Sequence, residues 1–427
     1  MFWNPKKNPR EVFTPRESKV NQVMYIERPE LEEALLDGLL GTKHLVLHGE
    51  SGSGKSWLYK KVLTDQSLVY RVSNLANASR LGNINEEFLN ILNRAEEAKK
   101  TSYTETKDAG FNAALASANL SHTDSYRVGS KEPFEALLSD LHAESKGNNA
   151  VLVLDNLEAI FQSQEHLKEL ADLITLLDDD TYAKYRVKFI VVGIPGDLRK
   201  YFFETPNLSA VGNRLKELPE VFRLTEEQTE QLIKRGFVDE LEYLNVKDKL
   251  YNEIVEHVIW ITDRIPQKIH EYCLALALEA YRNSRPLQSD DVKVADRKWL
   301  EESLYQAYSV VEASMNENET RVRRRDQVIY SLGQLNTSAF RAADVENYVR
   351  SRFSDSTEDV QLNINGTLSY LAKQSQPIIR KTPKGDTYVF ADPVYRMCIR
   401  IMLKIEQNNQ LVKKRPLDTL DLDSYLF

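Results

Sequence analysis

Continuous apolar runs recur through the first half of the chain, separated by stretches with helical spacing. The runs are His44-Leu-Val-Leu-His48, Ser67-Leu-Val-Tyr-Arg-Val-Ser73, Ala150-Val-Leu-Val-Leu-Asp155 and Val187-Lys-Phe-Ile-Val-Val-Gly193, with Val221-Phe-Arg-Leu224 as a short further one. Short apolar runs without strict alternation are expected of strands buried on both faces, as in a parallel sheet. Between them, Pro29 opens a helix that Gly41 stops, with Glu30, Glu32 and Glu33 near the positive end of its dipole. Phe88, Leu89, Ile91 and Leu92 predict another helix, and a third runs from Pro133 to His142. Strands alternating with helices predict an α/β fold built on a doubly wound parallel sheet. Ligands of such sheets gather at the carboxyl ends of the strands, where Gly49, Asp155 and Gly193 stand.

After Leu224 the spacing becomes helical throughout. Thr225-Glu-Glu-Gln228 has the form of a capping box. Helices are predicted over 226–240, 248–261 and 266–283, with Pro266 in a permitted first turn, and from Ser289 to about Met315. The last third predicts helices over 321–334, from Ser338 to Val349 and over 358–374. Pro377-Ile-Ile-Arg-Lys, a Pro-Lys-Gly turn at 383–385 and Thr387-Tyr-Val-Phe then predict a hairpin. Three helices and a hairpin in that order make a winged helix-turn-helix. The expected division is an extended N-terminal arm over 1–22, an α/β core over 23–224, a helical domain over 225–315, a winged helix over 316–410 and an acidic tail over 411–427. Residues 99–131, rich in Ser, Thr, Ala and Asn, read as an insertion or long loop within the core.

Composition narrows the class. A chain of 427 residues accommodates two to four domains. There is no run of eighteen apolar residues and no signal-peptide core near Met1, so the expectation is a soluble cytoplasmic protein with no membrane partner. Cys273 and Cys398 both sit in apolar helical patterns and read as buried thiols rather than a disulfide or metal site. The net charge of −8 argues against a generally basic surface. Yet residues 321–410 hold 14 Lys and Arg against 9 Asp and Glu, a net +5, which leaves −13 for the remainder. That contrast points to a polyanion partner for the C-terminal module.

The stretch with the most specific chemistry follows the first apolar run. Gly49-Glu50-Ser51-Gly52-Ser53-Gly54-Lys55-Ser56 fills the pattern G-x-x-x-x-G-K-[ST], between a strand and a helix that begins near Gly54 and continues through Trp57. Glycines let the backbone turn its N–H groups inward onto phosphate oxygens, and the helix adds its positive dipole end. Lys55 neutralises the outer phosphates, and the Ser56 hydroxyl can join a Mg²⁺ shell. Asp155, ending the Ala150 run, is placed to hold the same Mg²⁺.

Tyr25-Ile-Glu-Arg-Pro-Glu-Leu-Glu, the GESGSGKS loop, VLVLDNLE, FIVVGIPGDL, the Arg214 region and Thr262-Asp-Arg-Ile-Pro-Gln-Lys-Ile-His-Glu-Tyr-Cys follow one another in an order that resembles AAA+ ATPases of the replication-initiator type. Related transposition ATPases and STAND signalling ATPases share it. The resemblance covers about residues 23–400. It implies that 225–315 is a helical lid, that nucleotide sits between core and lid, and that a neighbouring subunit completes the site. It makes Asp155 the Walker B acid, Arg214 an arginine finger acting in trans, and Arg264 or Lys268 a second γ-phosphate sensor. Val23, Tyr25 and Ile26 would line the adenine pocket. Two positions depart from the pattern. Asn156 stands where many relatives carry the glutamate that activates water, which leaves Glu158 as the candidate base and implies slow hydrolysis. Gly193-Ile-Pro replaces the polar residue expected at the end of its strand.

Each assignment has a plainer alternative: Glu158 as a solvated acid at a helix start, Arg214 as a surface arginine in an internal ion pair, Tyr25 as a core residue. The implied ligands are ATP and ADP with Mg²⁺. The implied behaviour is a switch that self-assembles and recruits or licenses a partner, on DNA through 321–325 and 380–384. On the third helix, which has no basic residue before Lys373, Gln361, Asn363 and Asn365 could read bases, and the expected mode is phosphate contact without sequence choice. The alternative is a STAND-like signalling module, of the bacterial-defence kind, whose winged helix contacts a protein effector. A metabolic P-loop kinase is a third class, which the C-terminal modules argue against.

Overall fold

The computed structural model describes residues 7–107, 131–194, 209–316, 322–382, 385–406 and 411–415. The chain divides into two compact units, one formed by Glu27–Phe222 and the other by Met1–Ile26 with Arg223–Phe427.

The first unit is built on five strands, β1 (His44–His48), β2 (Tyr70–Asn74), β3 (Ala150–Asp155), β4 (Val187–Gly193) and β5 (Leu215–Glu217). All pair in parallel in the order β2-β3-β4-β1-β5. The doubly wound sheet expected from the apolar runs is therefore present. Successive side chains on a strand point to opposite faces, and the two apolar clusters of this unit divide accordingly. Leu45, Leu47, Val151, Val153, Ile190 and Val192 join Leu35, Leu58 and Val62 on one face. Val46, Leu152, Leu154, Phe189 and Val191 join Phe88, Phe134, Leu167 and Leu170 on the other. Covering both faces is what makes these strands read as unbroken apolar runs.

One reading of this unit needs correction and one is refined. The strand beside β1 is Leu215–Glu217, not Val221–Leu224, with His44 opposite Leu215. The later run is apolar like a strand because its residues are divided between two environments. The Val221 N–H still bonds to the His48 carbonyl at 2.8 Å and Phe222 is exposed, whereas Leu224 lies in the core of the other unit. The helix begun at Ile84 continues to Lys107, into the stretch expected to be an insertion or long loop. The remainder of that stretch, 108–130, lies outside the described residues.

In the second unit the capping box forms as expected, with the Gln228 N–H donating to Thr225 Oγ1 at 3.1 Å and the Thr225 N–H to Gln228 Oε1 at 3.0 Å. Helices follow over Glu226–Lys234, Lys249–Ile261 and Pro266–Arg282. The single helix expected from Ser289 is two, Ser289–Glu302 and Tyr305–Ser314. Next come helices Arg324–Gln334, Ala342–Arg352 and Ile364–Ala372. They accompany a three-stranded antiparallel sheet of β6 (Ala339–Phe340), β7 (Ile379–Lys381) and β8 (Tyr388–Phe390), in the order β6-β8-β7. A helix Val394–Met402 and a hairpin of β9 (Leu403–Glu406) and β10 (Leu411–Lys414) complete the described chain. The segment from 411, expected to be tail, thus begins as a strand with Val412 buried.

The described part of the N-terminal arm, from residue 7, contains a short helix. Asn8 caps a short helix, Pro9–Val12, and Phe13 is fully buried. Gly236 makes room for it, since a Cβ there would lie 2.2 Å from Phe13 Cζ. Beside this contact the Thr14 N–H donates to His270 Nδ1 at 3.2 Å. An isolated Val12-Phe13 pair among charges and prolines carries no periodicity, so only a tertiary partner reveals it as core.

His270 accepts that bond as a neutral ring, and burial lowers its pKa from the ordinary value to about 4. His44 in the other unit is also lowered to about 4, by burial first and then by Lys188 and Arg214, with Asp178 opposing. Between about pH 6.5 and 4 the unfolded chain binds protons that the folded chain does not, so stability falls on acidification and is unaffected above that window. Each ring contributes a loss of about 3 kcal/mol by pH 4. His270→Asn, which keeps an acceptor but does not titrate, should flatten the pH dependence of the urea midpoint by about one proton's slope.

Candidate nucleotide site

The site starts at the carboxyl end of β1. Gly49 leaves the strand with its N–H on the Gly193 carbonyl at 3.3 Å. A Cβ at Gly49 would sit 2.4 Å from the Val221 carbonyl oxygen and 2.9 Å from Ser53 Oγ, so only glycine fits. Gly54 takes a left-handed φ of 95° and caps the helix Lys55–Asp65, a conformation that favours glycine. Lys55 begins that helix and its ammonium folds back to donate to the carbonyls of Gly49 at 2.8 Å and Glu50 at 2.9 Å. Burial lowers its pKa, while Glu158, Asp155, Glu50 and Glu220 act in the opposite sense.

Asp155, the last residue of β3, comes to the same edge. Its Oδ2 accepts from Ser56 Oγ at 3.2 Å and from the Tyr59 hydroxyl at 3.0 Å, and its Oδ1 from the Asn156 N–H at 2.9 Å. β4 lies between β1 and β3, so this meeting joins segments about a hundred residues apart in sequence. A hydroxyl and a carboxylate make an all-oxygen donor pair that suits a hard cation such as Mg²⁺, which keeps phosphates and waters as its other ligands. Among the described residues no group of three or more His, Cys, Asp or Glu forms a separate metal site.

Other candidates are placed as follows. Glu158 is exposed in the turn Leu157–Ile160, and its charge is first among those that oppose the lowering of the Lys55 pKa. Asn156 has a left-handed φ of 61°, and its amide donates to Asn74 Oδ1 at 3.0 Å. Glu50, Ser51, Gly52 and Ser53 form the loop itself, and Trp57 lies half-buried in the first helical turn. Arg214 ends the helix Ser209–Arg214 and pairs with Asp178. That pair matches the plainer of its two readings. Because Leu215 is opposite His44, Arg214 stands at the amino edge of the sheet, the far end of β1 from its own P-loop.

Tyr25 and Arg264 belong to the other unit. Tyr25 is buried there, and its carbonyl accepts from Arg235 Nη1 at 2.6 Å. Arg264 has a left-handed φ of 60°, and its guanidinium is 4.0 Å from Glu226. Lys268 is engaged with Glu271 at 2.8 Å.

Sequence reasoning missed two residues. Tyr59 follows Ser56 by three positions, hence on the same helical face, a signal that was available. Arg28 donates to the Ser53 carbonyl at 2.8 Å and to the Phe222 carbonyl at 3.1 Å, so it clasps the P-loop to the last residue of the unit. Nothing in its local sequence points to either partner.

Residues 40–202 match the family model of the AAA domain. No curated protein matches the chain. Among solved structures, the chain is similar to a Walker-type ATPase of Pyrococcus abyssi, with a TM-score of 0.50, 19% identity, and coverage of 88% of this chain and 96% of that one. It is also similar to the ORC2 protein of Aeropyrum pernix in its ADP form, with a TM-score of 0.49, 14% identity, and coverage of 93% and 97%. The matched span contains β1 to β4, the P-loop and Asp155, so the first unit carries the P-loop α/β fold of an AAA domain.

Proposed function

We propose that this chain is a Mg·ATP-binding AAA+ switch of the replication-initiator type, with slow ATP hydrolysis, that assembles with copies of itself and recruits or licenses a partner on DNA. The observation that carries the reading is the meeting of Lys55, Ser56 and Asp155 at the carboxyl edge of the sheet. Backbone N–H groups of 49–56 and the Lys55 ammonium hold the phosphates. Ser56 and Asp155 hold Mg²⁺, which when bound neutralises charge on the phosphate oxygens. Glu158, beside Lys55, is the candidate base. An amide at position 156 cannot accept a proton from water, which is the reason for expecting slow turnover.

Arg214 supports self-assembly. Five strand residues separate the two edges, roughly 16 Å, so its guanidinium serves another copy's nucleotide once released from Asp178. Tyr25 as an adenine contact and Arg264 as a sensor complete the reading, which places the protein in the cytoplasm.

For DNA, the reading of a winged helix is supported by the three-stranded sheet and the helices from Arg324 onward, with Arg380 and Lys381 exposed on β7. Arg325 stacks on Tyr370 at 4.3 Å, whereas Arg324 is tied to the Ser356 carbonyl and Gln327 and acts as a structural residue. Arg321 and Lys384 lie outside the described residues. A second reading, contact with a protein effector, is favoured by one observation: helix Ile364–Ala372, where base-reading residues belong, carries no Lys, Arg, Asp or Glu.

Duplex-DNA anisotropy at rising salt, with Mg·ATP present, separates the two. The expected result is steep salt dependence that the Arg325→Gln, Arg380→Gln, Lys381→Gln triple variant reduces by about two to three in logarithmic slope. Lys55→Ala should abolish its nucleotide dependence. Absence of DNA binding at low salt while ATP is bound selects the effector reading. Failure of calorimetry to detect nucleotide uptake overturns both.

A further inference from the structure

The Asp155 carboxylate is held by more than the P-loop. Its Oδ2 accepts two hydroxyls, Ser56 at 3.2 Å and Tyr59 at 3.0 Å, and these two donors differ in kind. Ser56 Oγ sits on a short side chain in the first turn of Lys55–Asp65 and can rotate to offer a lone pair to a cation. Tyr59 cannot withdraw. Its ring has no exposure and is packed with Leu58, Val62, Leu63, Val151 and Val153. Removing its hydroxyl from Asp155 would strand a buried polar group.

The Asn156 N–H on Oδ1 is equally permanent, being part of the backbone. The carboxylate is therefore pinned at both oxygens, with only the Ser56 bond exchangeable. An aspartate at a strand end, next to a left-handed residue, would otherwise be free to rotate about χ1 and χ2.

We propose that Tyr59 is a positioning residue for the divalent cation: its hydroxyl holds Asp155 in the rotamer that meets Ser56, and so sets how tightly the cation is held with the nucleotide. This deepens the reading of Asp155 as the cation-holding acid and rests on it. Tyr59 touches neither nucleotide nor reacting atoms; it acts through Asp155. Partners of this kind that orient a metal ligand typically change metal affinity 10–100-fold when removed.

The test is a Mg²⁺ titration of fluorescent ATP-analogue binding in the full chain, with each variant also measured in EDTA. For Tyr59→Phe, which keeps the ring and its packing, the expected result is a rise of about tenfold in the half-saturating Mg²⁺ concentration, with unchanged affinity in EDTA. Asp155→Asn should abolish the Mg²⁺ enhancement. If Asp155→Asn abolishes it and Tyr59→Phe titrates like the parent, the role of Tyr59 is overturned and the role of Asp155 stands. If Asp155→Asn also titrates like the parent, the cation reading itself fails. A merely structural role for Tyr59 would lower affinity in EDTA as well, and that outcome also overturns the proposal.

Should Tyr59→Phe fail to fold, 3-fluorotyrosine placed at position 59 alone gives a second route. Its fluorine resonance is expected to shift when Mg²⁺ joins bound nucleotide, and not to shift in Asp155→Asn. No shift in the parent sequence overturns the proposal.

Discussion

Asp263→Asn should lower the stability of the Arg223–Phe427 unit by about 3–5 kcal/mol, the usual penalty for breaking a buried charge pair from one side. Asp263 is buried, and its carboxylate accepts from Arg396 Nη1 at 2.8 Å, from Arg400 Nη1 at 3.5 Å and from Arg223. Burial alone would raise its pKa; the guanidiniums of Arg396, Arg400 and Arg223 together hold it below the ordinary value. Arg396 and Arg400 are themselves only 1% and 2% exposed, and burial lowers Arg400 to about 10. The excess positive charge is met by dipoles and rings. Arg396 bonds to the Thr337 carbonyl and lies 4.9 Å from the Phe390 ring; Arg400 bonds to the Gly333 and Trp260 carbonyls and lies 5.4 Å from the Trp260 ring. Removing this anion leaves the three guanidiniums without the carboxylate they share.

In a unit of this size the loss amounts to a drop of about 10 °C in Tm. Calorimetry checks it, and a Tm within about 2 °C of the parent would show that the carbonyls and rings suffice without the carboxylate. The consequence reaches the candidate sensor. Asp263 and Arg264 both hold left-handed φ values, 53° and 60°. Two consecutive non-glycine residues in that region persist only when their surroundings over-determine them. The helix Val394–Met402 supplies two of the three arginines that do so.

The second large effect is at the P-loop. Gly49→Ala would drive a methyl group to 2.4 Å from the Val221 carbonyl oxygen, a backbone atom that is itself placed by the bond from the Val221 N–H to His48. The loop must shift, at a cost of about 1–3 kcal/mol, and its phosphate-facing N–H groups shift with it. Nucleotide affinity should fall by at least about tenfold, equivalent to about 1.4 kcal/mol. Gly82→Ala is the control. Gly82 also has positive φ, 96°, but a Cβ there meets nothing within 4 Å. It should cost about 1 kcal/mol from backbone conformation alone and leave nucleotide binding unchanged. Equal nucleotide affinities for the two variants would show that the close approach at Gly49 does not matter.

Both predictions use contacts of different legibility. Gly49 stands inside a spaced motif, and the need for glycine there follows from how a backbone turns onto phosphate. Asp263 is one acid in a helix-start pattern, Thr262-Asp-Arg-Ile-Pro, that reads equally well as a solvated cap. Its arginine partners are 40, 133 and 137 residues away, and no local pattern relates them. Tyr59 lies between: helical spacing puts it on the face of Ser56, while its bond to Asp155 depends on the strand order.

By itself the sequence determined what depends on neighbours along the chain. The apolar runs specified strands buried on both faces, G-x-x-x-x-G-K-S specified the loop, Thr225 and Gln228 their capping box, and the acid closing the third run its place at a strand end. These are consequences of side-chain period and backbone geometry, which act over a few residues. Only the tertiary structure decided that Leu215–Glu217 rather than Val221–Leu224 lies beside β1, that Phe13 fills the space left by Gly236, that Arg28 clasps the P-loop, and that three arginines converge on Asp263. Burial and charge pairing act through space, so the chain must already be folded before such partners exist.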